Sequence, residues 1–394
     1  MAFPQRLPAE FYREVQGDVR RRLAEEGLSA ALFDDPDDVA YLSGFFHFPN
    51  ERPVAIWIPA GDVDDVVLLV PALEREYAEY QGAHARLSVY PEFPGRRPPF
   101  AVLAAEVPSR PGPIGYAGST TAARLDAMRA AFEDHALVRT GAVDEARIVK
   151  YDAEIDLHRE AGRITDAMLT AGRDLIEDAL RNGGELPSEA ELAGYVTRAG
   201  TAMMYAEHDD VVVVPHLAGG LVYAGANSAR PHALPSGYRL RPGEPFMLSL
   251  GAGVGGRHVE GERTFILGEP TADQQRYYDT VLQAQLTGLA GLRAGRRCAE
   301  VNADCLAVIH GAGLGHLLRH RQGHGIGLNI HEPPWLEDGD ESVLRANMIV
   351  SDEPGIYLPG HGGYRISDSV LVGADGGAAL TFFPKTLDDI VIAA

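Results

Sequence analysis

The chain is short of cysteine, of positive charge and of long apolar runs, and each shortage excludes something. Its 394 residues include two cysteines, Cys298 and Cys305. These stand seven apart in a stretch that reads as one helix. That is about two turns, roughly 10 Å of rise, too far to bridge each other. No metal-binding pattern includes them, and they fit a reducing cytosol. Lys and Arg number 35 against 56 Asp and Glu, for a formal charge of −21. Nucleic acid, whose phosphates need a basic surface, is excluded as a partner, and so is an anionic membrane surface. No apolar run reaches the roughly 18 residues of a membrane span. Met1-Ala2-Phe3-Pro4-Gln5-Arg6 contains no apolar signal core, so the expected setting is the cytoplasm. With 45% hydrophobic residues, a chain of this length buries a sizeable core and fills two ordinary domains.

Residues 1–148 alternate short apolar strands with helices, which predicts an α/β domain. Residues 149–394 begin differently. A long amphipathic helix runs from Tyr151 to about Arg181, with Ile155, Ile164, Met168, Leu175 and Ile176 on its apolar stripe. Leu186-Pro187-Ser188-Glu189 reads as the capped start of a second helix. Val211–Val214 reads as a buried strand, and residues 324–331 and 389–393 as further strands. The hairpin formed by Met247–Gly251 and His258–Glu262 is echoed by Ile349–Glu353 and Tyr364–Asp368. Two such hairpins predict a duplicated α+β unit, with polar groups converging between the copies.

The densest chemical text is Arg321-Gln322-Gly323-His324-Gly325-Ile326-Gly327-Leu328-Asn329-Ile330-His331-Glu332-Pro333-Pro334. Two histidines lie seven apart, and glycines let the backbone pass close to a ligand. Other polar groups gather at His232, at Ser249 with Glu260 and Glu262, at Glu353, and at Arg365 with Ser367. Glu260 and Glu262 are two apart on a strand and share one face. Glu353 follows the apolar run Met348–Val350, and an acid at the buried end of a strand needs a partner. Each feature also has a plain structural reading: a glycine turn, solvated acids, an ion pair. The ordered set carries the argument.

That order is Pro231-His232, then Gly251…Arg263-Thr264, then Gly323-His324-Gly325-Ile326-Gly327…His331-Glu332-Pro333, then Glu353-Pro354-Gly355-Ile356-Tyr357, then Arg365-Ile366-Ser367-Asp368. It resembles the pita-bread family, which includes methionine aminopeptidase, Xaa-Pro aminopeptidase, prolidase and creatinase. The match spans residues 151–394, and the N-terminal domain resembles the one carried by creatinase and Xaa-Pro dipeptidases. The resemblance implies an α+β chain: an N-terminal α/β creatinase-type domain, residues 1–148, followed by a C-terminal pita-bread domain, residues 149–394, with pseudo-twofold duplicated halves. It also implies a homodimer. Metallopeptidases of the family hold two divalent ions with Asp, Asp, His, Glu and Glu. The matching positions are Ser249, Glu260, His324, Glu353 and Ser367, so hydroxyls replace two carboxylates. Hard divalent cations need anionic oxygen. The expectation is therefore no metal or other cofactor, with a single ion on Glu260, His324 and Glu353 ranked below it.

Creatinase is the metal-free member and is similar at several points. It has Leu-Ser-Leu where this chain has Leu248-Ser249-Leu250, and a glutamate before Arg-Thr, as Glu262 precedes Arg263. It keeps a histidine matching His232 and a glutamate matching Glu353. An Arg-Pro pair, matched by Arg52-Pro53, reaches the partner subunit's site. Creatinase lacks the segment His331-Glu332-Pro333, so creatine is not implied as substrate. The leading expectation is a creatinase-like, metal-independent hydrolase. It would cleave a C–N bond in a small amino-acid-like or amidine/guanidine-like molecule. His232 would shuttle the proton. Glu262 and Glu353 would bind a cationic group, while His324 and His331 polarise or orient it. Arg52 of the partner, or Arg365, would hold a substrate carboxylate, but the role ranked first for Arg365 is to brace Glu353 or its own hairpin. Glu260, Ser249 and Ser367 would complete the substrate contacts. Ranked lower are a metal-dependent Xaa-Pro dipeptidase or aminopeptidase with an altered metal site, a lyase or cyclase, and a non-catalytic binding module.

Overall fold

A six-stranded sheet organises the first of two units into which the computed structural model divides; the model describes residues 4–393. That unit comprises Arg6–Arg147 with Val212–Pro215. Its strands are β1 (Ala30–Phe33), β2 (Ala55–Pro59), β3 (Val67–Pro71), β4 (Arg86–Tyr90), β5 (Ile114–Tyr116) and β6 (Leu137–Arg139), in the order β4-β3-β2-β1-β5-β6. The central strands AALF, AIWIP and VLLVP are buried along their whole length. Continuous apolar strands of this kind need cover on both faces. Helix Ala9–Glu25 supplies part of it through Phe11, Tyr12, Val15, Val19 and Leu23, a spacing of three and four that makes one stripe.

The second unit is the remainder of the described chain from Ile148 on. Helix Asp152–Arg181 buries Ile155, Ala161, Ile164, Met168, Leu169 and Ile176, a stripe set by the helical repeat. Helix Glu189–Glu207 starts at a capping box: Ser188 Oγ accepts from the Glu191 N–H, and the Glu191 carboxylate accepts from the Ser188 N–H. Strands β7 (Ala218–Ala224), β8 (Pro245–Val254) and β9 (Arg257–Leu267) follow. The pattern then repeats with helices Ala272–Gly291 and Cys298–Gly311 and strands β10 (Gly323–Gly325), β11 (Glu332–Leu336), β12 (Ile349–Asp352), β13 (Gly355–Leu358), β14 (Gly362–Arg365) and β15 (Ser367–Val372). The main sheet runs β11-β10-β12-β15-β9-β8-β7. Two helices and three strands (β9, β8, β7) on one side of the β9/β15 seam therefore answer two helices and four strands (β15, β12, β10, β11) on the other. The expected pseudo-twofold duplication is present, with β13 and β14 as an inserted hairpin. No helix among the described residues is long and apolar enough to cross a membrane.

The seam has two chemically different faces. Ser249 pairs with Glu262 across β8 and β9, and Glu262 pairs with Ser367 across β9 and β15. Strand alternation puts these three side chains in one row on one face, with Glu260 two residues away on the same face. Arg263 and Asp368 point the other way, toward the helices. Arg263 Nη2 donates to Asp368 Oδ1 at 2.8 Å, and both side chains are 1% exposed. Thr381, Gln285 and Lys385 donate to the remaining lone pairs of Asp368. The chain has only two lysines, and both serve buried carboxylates: Lys385 serves Asp368, and Lys150 serves Glu332 at 2.7 Å.

Some local expectations fail for identifiable reasons. Val211–Val214 forms no strand: β-branched composition alone does not make one outside a sheet. Strand β7 was hidden by its Gly219-Gly220 pair, which reads as a turn. Residues 389–393 split into a helical turn, Leu387–Ile390, and the two-residue strand Val391–Ile392. The Asp389 carboxylate accepts from the Thr386 N–H and stops an extended chain.

One stability prediction belongs here. His158 is fully buried in helix Asp152–Arg181, with its Nδ1–H donating to the His258 carbonyl at 2.7 Å. Burial first, and the Lys150 charge second, hold its pKa well below the ordinary imidazole value. His258 is likewise lowered, to about 4, chiefly by burial. A depressed folded-state pKa gives stability that is present above the unfolded value near 6.5 and is lost as pH falls toward the folded one. The melting temperature is expected to drop between pH 7 and pH 5, and His158→Gln to flatten that slope. Calorimetry across the window checks it; a flat wild-type profile would contradict it.

Candidate active site

The row on the site face of the seam is the floor of a cluster that draws residues from both halves. His324 sits on β10, with its N–H donating to Ser351 Oγ on β12. Its Nδ1–H donates to the Gly325 carbonyl at 3.1 Å, which leaves Nε2 facing the acids. Nε2 is 3.3 Å from Glu353 Oε1 and 3.8 Å from Glu260 Oε1, buried and without a well-formed hydrogen bond. The His331 ring lies 4.0 Å from the His324 ring, centroid to centroid. One ligand atom each from Glu260, His324 and His331 lie within 4.8 Å of one another.

The electrostatics follow from crowding. Burial alone would lower His324, but Glu260 and then Glu353 outweigh it and raise its pKa to about 9. Burial and then the Glu353 charge push Glu260 up to about 8. Burial would also raise Glu353, yet its contact with His324 and the charge there hold it at about 2. His331 is lowered to about 4, by burial and then by His324. Two carboxylates thus face one imidazole and compete for positive charge. His232, exposed after Pro231, lies near enough for its charge to act on both His331 and His320.

A second cluster adjoins the first. Glu262 accepts from Ser249 Oγ and forms a two-pronged ion pair with Arg365 through Nε and Nη2, the latter at 2.7 Å. Arg365 Nη2 also donates to Tyr223 Oη at 2.6 Å, and Nη1 donates to Tyr357 Oη at 3.2 Å and to the Pro231 carbonyl at 3.4 Å. Arginine has five N–H donors; the four on Nη1 and Nη2 are taken by the chain, and Nε faces Glu262 within the ion pair. Arg365 therefore braces Glu262, where the sequence suggested a substrate carboxylate or, ranked first, Glu353 or its own hairpin. Ser367 Oγ donates to Glu260 Oε1 at 3.1 Å. Arg52 belongs to the first unit, where Glu51 at 2.7 Å and Glu92 at 2.5 Å flank it.

Sequence reasoning missed Tyr223, Tyr357 and His320. Tyr357 closes the quoted Glu353–Tyr357 segment, and His320 immediately precedes the Arg321–Pro334 stretch, so both lay beside a recognised signal. Tyr223 lay in the strand that its glycines concealed.

The glycines of β10 and its loop do something other than expected. A Cβ on Gly325 would stand 2.3 Å from the Pro333 carbonyl oxygen, and one on Gly327 2.2 Å from Glu332 Oε1. They let the His331-Glu332-Pro333 segment fold back onto His324, rather than admitting a ligand to the backbone. That close packing also confines the predicted 324–331 strand to Gly323–Gly325. Gly325→Ala is expected to cost at least about 2 kcal/mol, since the clash is with backbone rather than a movable side chain. Chemical denaturation reads it, and a cost under half of that would show that the segment yields.

The donor set fits one divalent ion. Glu260, Glu353, His324 and His331 offer hard oxygen and imidazole nitrogen at one point, with Nε2 of His324 lacking a good partner. It does not fit two, because Ser249 and Ser367 carry no charge and both oxygens of Glu262 are engaged.

Comparison with known proteins bears on the same question. Residues 156–374 match metallopeptidase family M24, and residues 17–149 match the creatinase/prolidase N-terminal domain. The chain is 30% identical to a Mycobacterium tuberculosis protein named "Probable dipeptidase PepE", over 97% of this chain and 98% of the other. It is 29% identical to an Xaa-Pro dipeptidase of Lactobacillus delbrueckii subsp. lactis, over 93% and 96%. The solved structure of dipeptidase PepE from Mycobacterium ulcerans superposes with a TM-score of 0.84 at 26% identity, over 99% and 100% of the two chains. These findings correct the leading expectation. A creatinase-like, metal-independent hydrolase with no cofactor, and with peptidase activity ranked lower, does not stand. The matching family is one of metallopeptidases, the relatives over nearly the full length are named dipeptidases, and Glu260, His324 and His331 converge as ligands do. The earlier count weighed the two lost carboxylates and overlooked that His331 joins the remaining set.

Proposed function

The chain belongs to metallopeptidase family M24, and from that premise we propose that it hydrolyses the peptide bond of a short peptide, a dipeptide first of all, using one divalent ion. The observation that carries this reading is the meeting of Glu260, His324 and His331, with Glu353 3.3 Å from the unsatisfied Nε2 of His324. Those four side chains would hold the ion. Bound there, it would supply Lewis acidity, polarising a scissile carbonyl and making water nucleophilic near neutral pH.

The chain's own residues do the rest. His324 is fixed in orientation by the Gly325 carbonyl, the usual second contact of a ligating imidazole. Ser367 steadies Glu260 by donating to one of its oxygens. His232, exposed and near enough for its charge to act on His331, takes a proton from water and returns it to the leaving amine. The substrate is small because the acids and histidines converge on one point of the sheet. We read the compartment as the cytosol, where the free, buried Cys298 and Cys305 stay reduced, and the assembly as a homodimer.

The test is metal content by elemental analysis, alongside hydrolysis of a panel of dipeptides, including Xaa-Pro ones, before and after chelation. The expected result is about one ion per chain, with cleavage that chelator abolishes and manganese, cobalt or zinc restores. Protein that takes up no ion from any of these salts and cleaves no dipeptide would overturn the reading.

A further inference from the structure

We propose that the Glu262–Arg365 pair closes the place a second ion would take, so that the centre is built for one. The inference rests on the one-ion reading for its first ion, but its test does not depend on it.

The closure is physical. Ser249, Glu262 and Ser367 form one row across three strands, with hydroxyls at both ends. The only carboxylate in the row is spent: Arg365 takes both of its oxygens and Ser249 donates to one of them. Glu262 and Arg365 are each 3% exposed. A guanidinium stays charged at any pH a folded protein meets. It therefore stands in the row as a fixed positive charge that repels a neighbouring cation.

Arg365 is also held from behind. Tyr357 Oη, which accepts from Arg365, donates to His320 Nε2 at 2.8 Å, and His320 Nδ1–H donates to the Arg321 carbonyl at 2.8 Å. Tyr223 and the Pro231 carbonyl fix the other edge of the guanidinium. A side chain tethered by this many buried bonds does not swing aside to admit a metal ion.

The charge count agrees. Glu260, Glu262 and Glu353 bring three negative charges and Arg365 one positive. The two that remain match one divalent ion. Two ions would leave the buried site with an excess of positive charge, which is costly at this depth.

The test is the number of Mn2+ or Zn2+ ions bound per chain, by titration calorimetry and by elemental analysis after gel filtration. Three proteins are compared: wild type, Ser249→Asp/Ser367→Glu, and Ser249→Asp/Glu262→Thr/Arg365→Met/Ser367→Glu. Circular dichroism confirms the fold of each; if the last variant does not fold, Arg365→Gln with Glu262→Ser removes the same pair. The added carboxylates alone are expected to leave the count at one, because the Glu262–Arg365 pair and its fixed positive charge still fill the row. Removing Glu262 and Arg365 together takes that charge out of the row and raises the count by one. A second ion on the double variant, or none gained between it and the variant that lacks both Glu262 and Arg365, would overturn the proposal. That step reads the pair whatever the wild type binds, whereas a wild type without any ion counts only against the one-ion reading.

Discussion

His324→Ala is expected to lose the ion and to lower kcat/KM on a dipeptide by about 10³-fold or more, with a modest loss of stability, because Glu260, already raised to about 8, takes up a proton beside Glu353. The size follows from the chemistry at stake. A bound ion contributes several kcal/mol of transition-state stabilisation, and about 1.4 kcal/mol corresponds to tenfold in rate. His324 is the one donor that faces both Glu260 and Glu353, so its removal leaves two carboxylates with nothing between them. Little backbone bonding is lost, since the ring's bond to backbone among the described residues is that from Nδ1 to the Gly325 carbonyl, and circular dichroism checks that the variant keeps its fold. His331→Ala removes a more exposed donor and is expected to cost roughly 10–100-fold, the range of a supporting ligand contact. Elemental analysis and steady-state kinetics on both variants check this. A His324→Ala protein that keeps ion and turnover would place the centre elsewhere.

Asp368→Ala should do the opposite, unfolding the protein while leaving the chemistry of the remaining folded fraction unchanged. Asp368 is the anion for Arg263 and Lys385 on the helix side of the seam, and Arg263 is completely buried. Removing one partner of a buried pair costs about 3–5 kcal/mol, because the other charge is left without compensation. The carbonyls of Glu262, Ser367 and Phe383 still accept from Arg263, but they carry no charge to replace the lost one. Total stabilities are on the order of 5–15 kcal/mol, so the melting temperature is expected to fall by roughly 10 °C or more. Asp368→Asn retains hydrogen-bonding capacity and should cost less. Urea unfolding distinguishes the three proteins. An Asp368→Ala variant as stable as wild type would mean that Arg263 is satisfied by carbonyls alone.

The two variants separate faces that the sequence places one residue apart. Glu262 and Arg263 are neighbours in the chain, as are Ser367 and Asp368, yet each pair is split between site and core. Strand alternation made this legible for Glu260 and Glu262, which share a face because they are two apart. The same parity puts Arg365 and Ser367 together. Helix starts were legible too, because a cap is a local event: Ser188 and Glu191 satisfy each other within four residues. Strands were less so where sheet position outweighed composition, as at Gly219-Gly220 inside β7 and at Val211–Val214, which joins no sheet.

The metal question turned on distance in space. Sequence order supplied Glu260, His324 and Glu353, and it supplied the loss of acids at Ser249 and Ser367. It could not show that His331 returns to within ligand distance of Glu260, since that depends on the loop folding back over Gly325 and Gly327. Nor could it show that Arg365 gives its Nη donors to Glu262, Tyr223, Tyr357 and Pro231, partners that lie from eight to 142 residues away.

By itself, then, the sequence determined the family-specific order of motifs, the duplicated hairpins, the side-chain parity along each strand and the chemical types available at the seam. All of these are local or periodic, and a one-dimensional pattern carries them. Only the tertiary structure decided which carboxylates remain free to hold an ion and which one a buried arginine neutralises. Those outcomes depend on Coulomb and hydrogen-bond contacts between strands far apart in the chain, whose strength is set by ångström separations and burial rather than by spacing in sequence.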